Sequence, residues 1–201
     1  YKEAESHPDI LTKQVTYTKQ TGIYDQHFKP QQTIEVGKTY TVEELLRYMI
    51  VYSDNNARDL LVANMDPIQI NEGFKNLGVE IPEEAIGARM YATFYRILFN
   101  ASYLSKDNSN KVLELLSKTQ FNLGIRSGVP YRVEVAHKFG EKDAQDKQQL
   151  HDCGIVYYPS HPYLLCLMTQ GKDFEKLEHT LRDLSGLVFN EVNAQFHLVD
   201  N

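Results

Sequence analysis

Three observations predict an α+β fold. Apolar residues recur at helical spacing from Val42 to Ser117, alternating strand-like runs gather after Arg132, and one long amphipathic segment beginning at Asp173 closes the chain. We therefore expect a mainly helical lobe over 1–130, and over 131–201 an antiparallel sheet covered by the C-terminal helix, the two making one domain.

Tyr1 to Ser6 has the composition of a helix end without a cap or first turn, so the natural chain is expected to continue upstream. Val15 to Thr18 and Thr33 to Thr41 are β-branched and aromatic, which predicts short strands. Thr41-Val42-Glu43-Glu44 has the spacing of a capping box, and Val42, Leu45, Leu46, Met49 and Ile50 then form one buried stripe. A second helix is expected from Asn56, with Leu60 and Leu61 inward. Asp66-Pro67-Ile68-Gln69 starts a third, which Leu77-Gly78 stops. Tyr91 to Tyr103 and Asn110 to Ser117 carry two more, before a Gly- and Ser-bearing loop from Asn122 to Pro130.

Val133 and Val135 alternate with polar residues in a strand leading to Lys138, and the charged stretch Gly140 to Gln149 is expected to be a turn or exposed loop. Cys153 to Tyr158 and Tyr163 to Thr169 predict a hairpin around Pro159-Ser160-His161-Pro162. Pairing Tyr158 with Tyr163 sets Cys166 opposite Ile155, diagonal to Cys153, which favours two buried thiols over a bridge. The closing helix presents Phe174, Leu177, Leu181, Leu184 and Val188 to the sheet.

At 201 residues, 42% apolar and 24% charged, the chain is long enough to bury a substantial core. A net charge of −6 without a dense basic tract argues against a nucleic-acid partner and against anionic membrane surfaces. No apolar run approaches the roughly 20 residues that span a bilayer, so no transmembrane segment is expected. The histidines are scattered without helical metal-site pairing, and no cofactor or metal is expected. His151-Asp152 suggests a serine triad, but without a Gly-x-Ser-x-Gly elbow a packed or half-exposed histidine is the expectation.

The chemistry is concentrated in Tyr52-Ser53-Asp54-Asn55-Asn56-Ala57, directly after the first helix, and far downstream in His137-Lys138-Phe139-Gly140. Taken alone, the first is a turn of residues that bond their own backbone, and Lys138 is an exposed charge at a strand end. Taken together, a Ser-Asp-Asn element followed by a Lys-x-Gly strand resembles the penicillin-recognising serine enzymes, the β-lactamases and D-Ala-D-Ala peptidases, and among them the class A β-lactamase-like branch.

The resemblance implies that Ser53 hands a proton to the departing nitrogen, that Asn55 bonds the substrate's side-chain amide, and that Asp54 fixes the loop. Lys138 would hold the substrate carboxylate, Gly140 would allow close backbone approach, and the amide of Glu141 would be one oxyanion donor. Motifs on two lobes imply a cleft, a β-lactam or a peptidoglycan stem peptide as small-molecule partner, and action outside the cytoplasmic membrane.

Three departures qualify the match. The nucleophile of this family lies in Ser-x-x-Lys upstream of Ser-Asp-Asn, and no serine here has Lys three residues on; Thr16-x-x-Lys19 and Thr169-x-x-Lys172 have the spacing with the wrong residue. The nucleophile, its helix and neighbouring strands are thus expected upstream of Tyr1, and the chain alone is expected not to form an acyl-enzyme. Second, the stretch from Leu77 to Arg89 is too short for the loop that carries a deacylating glutamate, and Glu80, Glu83 and Glu84 read as a solvated cluster, which predicts slow turnover. Third, Phe139 stands where the family has a hydroxyl residue. From a different functional class comes the alternative of a non-catalytic domain that binds peptidoglycan or a partner.

Overall fold

Thr41 starts the first helix as its neighbours dictate. The Glu44 amide donates to Thr41 Oγ1 at 3.1 Å while the Thr41 amide donates to Glu44 Oε2 at 2.7 Å, so each end satisfies an orphan donor of the other. The computed structural model of the chain describes residues 1–20, 22, 24–78, 86–144 and 147–196. It divides into two compact units, Tyr1–Ile86 with Arg96–Gln120, and Gly87–Tyr95 with Phe121–Asn201.

In the first unit, β1 (Gln14–Thr16) pairs antiparallel with β2 (Thr39–Thr41), with Val15 opposite Tyr40. The predicted strand from Thr33 shrinks to three residues because Gly37, at φ 88°, turns the chain and the Ile34 amide is taken by a side chain. Tyr1 to Ser6 forms only a 3-10 turn at Glu3–Glu5. Helices α1 (Val42–Val51), α2 (Asn55–Ala63) and α3 (Pro67–Asn76) follow as read, the last capped by Asp66. Helix α4 (Ala88–Phe99), whose residues up to Tyr95 belong to the second unit, starts earlier than its apolar periodicity suggests and ends earlier too, because Ala101 at φ 47° turns the chain out of the helix. Helix α5 (Lys106–Ser117) begins at Ser105, whose hydroxyl accepts from the Asn108 amide at 3.2 Å. Val15, Tyr17, Ile34, Leu45, Leu60 and Leu61 meet in one core. Each fully buried aliphatic there contributes on the order of 2 kcal/mol. Glu80, Glu83 and Glu84 lie outside the described residues.

In the second unit, β3 (Val135–Ala144), β4 (Lys147–Val156) and β5 (Tyr163–Gly171) form one antiparallel sheet in that order, with α6 (Phe174–Phe196) packed against β4 and β5. Gly140 to Gln149 is therefore not a loop: all of it that is described pairs in the β3–β4 ladder, from Gly140↔His151 to Ala144↔Lys147. Backbone hydrogen bonds extend the strands where exposed charged side chains gave no apolar signal.

The hairpin register also differs from expectation. Tyr157 and Tyr158 leave the ladder, the Tyr157 amide donating to Glu134 O at 2.9 Å and the His161 amide to Tyr158 O at 3.0 Å. Val156 thus pairs with Tyr163, which moves the register by two and sets Cys153 directly opposite Cys166. The two are joined as a disulfide, not left as thiols. On α6 the buried line runs Phe174, Leu177, Leu181, Ser185, Phe189. Leu184 is 40% exposed, because the helical step from Leu181 puts Ser185 inward.

Candidate active site

Ser53 sits in the three-residue gap between α1 and α2, half-buried, with φ 58°. A residue with a Cβ held in the left-handed region costs on the order of 1 kcal/mol and persists only where its surroundings over-determine it. Here they do. The Asp54 amide donates to Tyr48 O at 3.1 Å, closing the end of α1. The Asp54 carboxylate, 1% exposed, accepts from the Ile34 amide at 2.8 Å with one oxygen and from the Asn56 amide at 2.9 Å with the other. Asp54 thereby caps α2 and ties the turn to the core. Tyr17 Oη donates to Asn56 Oδ1 at 2.9 Å, and Ser53 O accepts from Gln26 Nε2 at 3.4 Å. Asn55 is the first residue of α2 and is half-buried. Ser53, Asp54 and Asn55 are thus brought together by one turn.

Lys138, Gly140 and Glu141 all lie on β3, paired with Cys153, His151 and Leu150 respectively. Lys138 is half-buried. Its Nζ donates to Phe139 O at 3.1 Å and lies 4.4 Å from the centroid of the Phe139 ring. Burial pushes its pKa down to about 8, against the pull of the Asp152 and Glu141 carboxylates, which favour the ammonium. A lysine so placed is charged at neutral pH and loses that charge within the range an assay can reach. A side chain built on Gly140 would meet nothing within 4 Å, so this glycine leaves open space on the strand and is not there to relieve crowding.

Sequence reasoning missed the pair buried behind Lys138. His137 Nδ1 lies 2.9 Å from Asp152 Oδ1, at 1% and 0% side-chain exposure, and the Ile125 amide donates to Asp152 Oδ2 at 2.9 Å. Gly124, at φ 62°, makes this approach available: a Cβ there would stand 2.6 Å from Asp152 Oδ2. Ile125 O in turn accepts from Ser185 Oγ at 2.8 Å, so the loop before β3 is held at both faces of one residue. The legible signal was a carboxylate inside the apolar run Leu150 to Val156, where an unpartnered charge would not survive burial. His151 is half-buried, and burial lowers its pKa.

Among the described residues no group of His, Cys, Asp and Glu side chains is placed to hold a metal ion. Nor is any helix among them long and apolar enough to cross a membrane.

The model of the β-lactamase enzyme family matches residues 1–192. The chain belongs to that family. Solved structures agree on the fold. The penicillin-binding protein PBP-A is 18% identical over 96% of this chain and 76% of its own, with a TM-score of 0.76. A β-lactamase from Chitinophaga pinensis is 20% identical over 96% of this chain and 80% of its own, with a TM-score of 0.77. A mutant PBP-A, determined as an acyl-enzyme complex with penicillin G, is 19% identical over 96% of this chain and 76% of its own, with a TM-score of 0.76. No curated protein sequence matches the chain. The α+β architecture read from the sequence is thus that of the β-lactamases and penicillin-binding proteins.

Proposed function

We propose that this chain is the Ser-Asp-Asn and Lys-x-Gly part of a serine hydrolase that takes β-lactams or D-Ala-D-Ala peptides through an acyl-enzyme, with the nucleophile in sequence beyond this chain. Ser53 protonates the departing nitrogen, Lys138 holds the ligand carboxylate and enters the Ser53 proton path, and Asn55 bonds the ligand amide. Gly140 gives the ligand its strand edge, and the Glu141 amide donates to the oxyanion.

One observation carries this reading. In a chain of the β-lactamase family, Ser53 is held in a left-handed conformation that costs stability, by a buried aspartate with both oxygens engaged. Strain of that kind concentrates where function needs it; Ala101 and Ser160, which share the sign of φ, lie just after α4 and in the turn between β4 and β5. The matched PBP-A structure extends beyond what this chain covers by about a quarter of its length, room for a Ser-x-x-Lys helix. A Cys153–Cys166 disulfide suits a protein working outside the cytoplasm, in the cell envelope or beyond it.

A second reading, a non-catalytic binder of wall peptide or of a protein partner, is favoured by the absence of Ser-x-x-Lys in 201 residues and by Phe139 in place of a hydroxyl residue. Mass spectrometry after incubation with penicillin separates them. The chain alone should gain no adduct, and a longer product carrying the proposed Ser-x-x-Lys should gain one penicillin mass and lose it slowly. An unmodified longer product would sink the acyl-enzyme proposal in favour of the binder.

A further inference from the structure

Neighbouring side chains on a strand point to opposite faces, so a lysine does not ordinarily reach the ring of the residue that follows it. Lys138 does. Its ammonium has bent round to lie 4.4 Å from the centroid of the Phe139 ring while bonding that residue's carbonyl at 3.1 Å. The ring is itself fixed. It stacks on Phe121 with centroids 4.0 Å apart and planes 20° apart, and both rings are buried at 7% exposure. Phe121 opens the loop whose Ile125 is held through its amide by Asp152 and through its carbonyl by Ser185. Phe139 is paired in register with Asp152, the residue that anchors that loop to the sheet. The stack is thus clamped from both of its chain segments, and it presents a negative π face to a cation in a half-buried setting, where such contacts are strongest.

We infer that Phe139 is a positioning residue for Lys138, its stacked ring being the seat that fixes where the ammonium meets the carboxylate of a ligand. The inference rests on Lys138 being the ligand-holding cation proposed above. A ring in this place supplies no hydrogen-bond donor of its own. The carboxylate is then held by a placed point charge, and the ring acts on binding through the lysine alone.

The test follows the ε-methylene signals of Lys138 in protein carrying 13C-labelled lysine, assigned by their loss in Lys138→Arg. In the unaltered chain these signals should be displaced upfield by the ring current. Phe139→Leu should return them to ordinary lysine positions, and Phe139→Tyr, which keeps the π face, should leave them displaced. Phe139→Met, a flexible filler, replaces Phe139→Leu if that variant does not fold. Undisplaced signals in the unaltered chain, or a displacement that survives loss of the ring, would overturn the inference.

In a longer product carrying the proposed Ser-x-x-Lys, Phe139→Leu should raise the penicillin concentration for half-maximal acylation by about 5-fold, and Phe139→Tyr should keep it at the unaltered value. A fall in limiting rate at unchanged half-saturation would count against the seat. If the ring-current displacement behaves as expected but no form of the protein is acylated, Phe139 keeps its hold on Lys138 and only the acyl-transfer proposal falls.

Discussion

The turn carrying Ser53 and the strand carrying Lys138 are held in place by different physics. Around Ser53 the work is done by polar groups at close range. Asp54 spends both oxygens on backbone amides and its own amide on Tyr48 O, and the serine pays for the resulting conformation with a positive φ. Around Lys138 the backbone is regular, and placement comes from sheet register, burial and a stacked aromatic pair, with the buried His137–Asp152 contact behind. A short turn can be locked by its own hydrogen bonds, whereas a strand residue takes its position from everything packed across the sheet. The first kind of site is written in consecutive residues, the second in residues far apart.

Removal of the anchoring carboxylates should expose this difference most strongly. Asp152→Ala leaves His137 Nδ1 and the Ile125 amide buried without their partner and should lower stability by about 2–5 kcal/mol, from one to three for each group left unsatisfied. Asp54→Ala strands two amides, at Ile34 and Asn56, and should cost about 2–4 kcal/mol. Urea melts of the two variants measure both. Equal, near-zero losses would erase the distinction between the two regions.

A smaller effect of opposite sign is expected at Ser53. Ser53→Gly removes the cost of a left-handed serine and should stabilise the chain by about 1 kcal/mol in the same melts. A destabilised variant would mean that the hydroxyl contributes more to the turn than its backbone costs.

The mildest lever is pH. The folded-state pKa of Lys138, about 8, lies below the ordinary lysine value of 10.5, so burying the cation costs stability below about pH 8, and that cost is relieved as pH rises from about 8 towards 10.5. Ligand binding runs the other way: attraction for a carboxylate is present below about pH 8 and is lost above it. Titration of an anionic ligand by calorimetry between pH 6.5 and 9.5 should therefore show weakening across that midpoint. Affinity that held steady to pH 10 would mean that burial does not depress Lys138.

The same contrast explains what the sequence could and could not disclose. Helix α1, the Asp54 turn and the Asp66 cap were legible because capping residues and apolar stripes act within a few positions of one another. The α+β order and the strand bearing Lys138 were legible for the same reason. The length of the β3–β4 hairpin was not, since Lys142, Asp143 and Lys147 are exposed and only their backbones report the ladder. The disulfide was missed because two tyrosines leave the strand at the hairpin turn, a loop detail that shifts every later pair by two. The His137–Asp152 pair joins residues on different strands, and no local pattern couples them. Phe139 was read as a lost hydroxyl, and its contact with Lys138 defies the alternation on which strand reading depends.

The central proposal is that Ser53 and Lys138 act on one ligand, and a double-mutant cycle on penicillin acylation of a longer product carrying the proposed Ser-x-x-Lys tests it most directly. Ser53→Ala and Lys138→Ala should each slow acylation, and the double variant should be slower than either by far less than the product of the two effects, a coupling well beyond the roughly 0.5 kcal/mol expected of independent sites. Effects that multiply within that margin would mean that the two residues work separately, and the shared site would be contradicted.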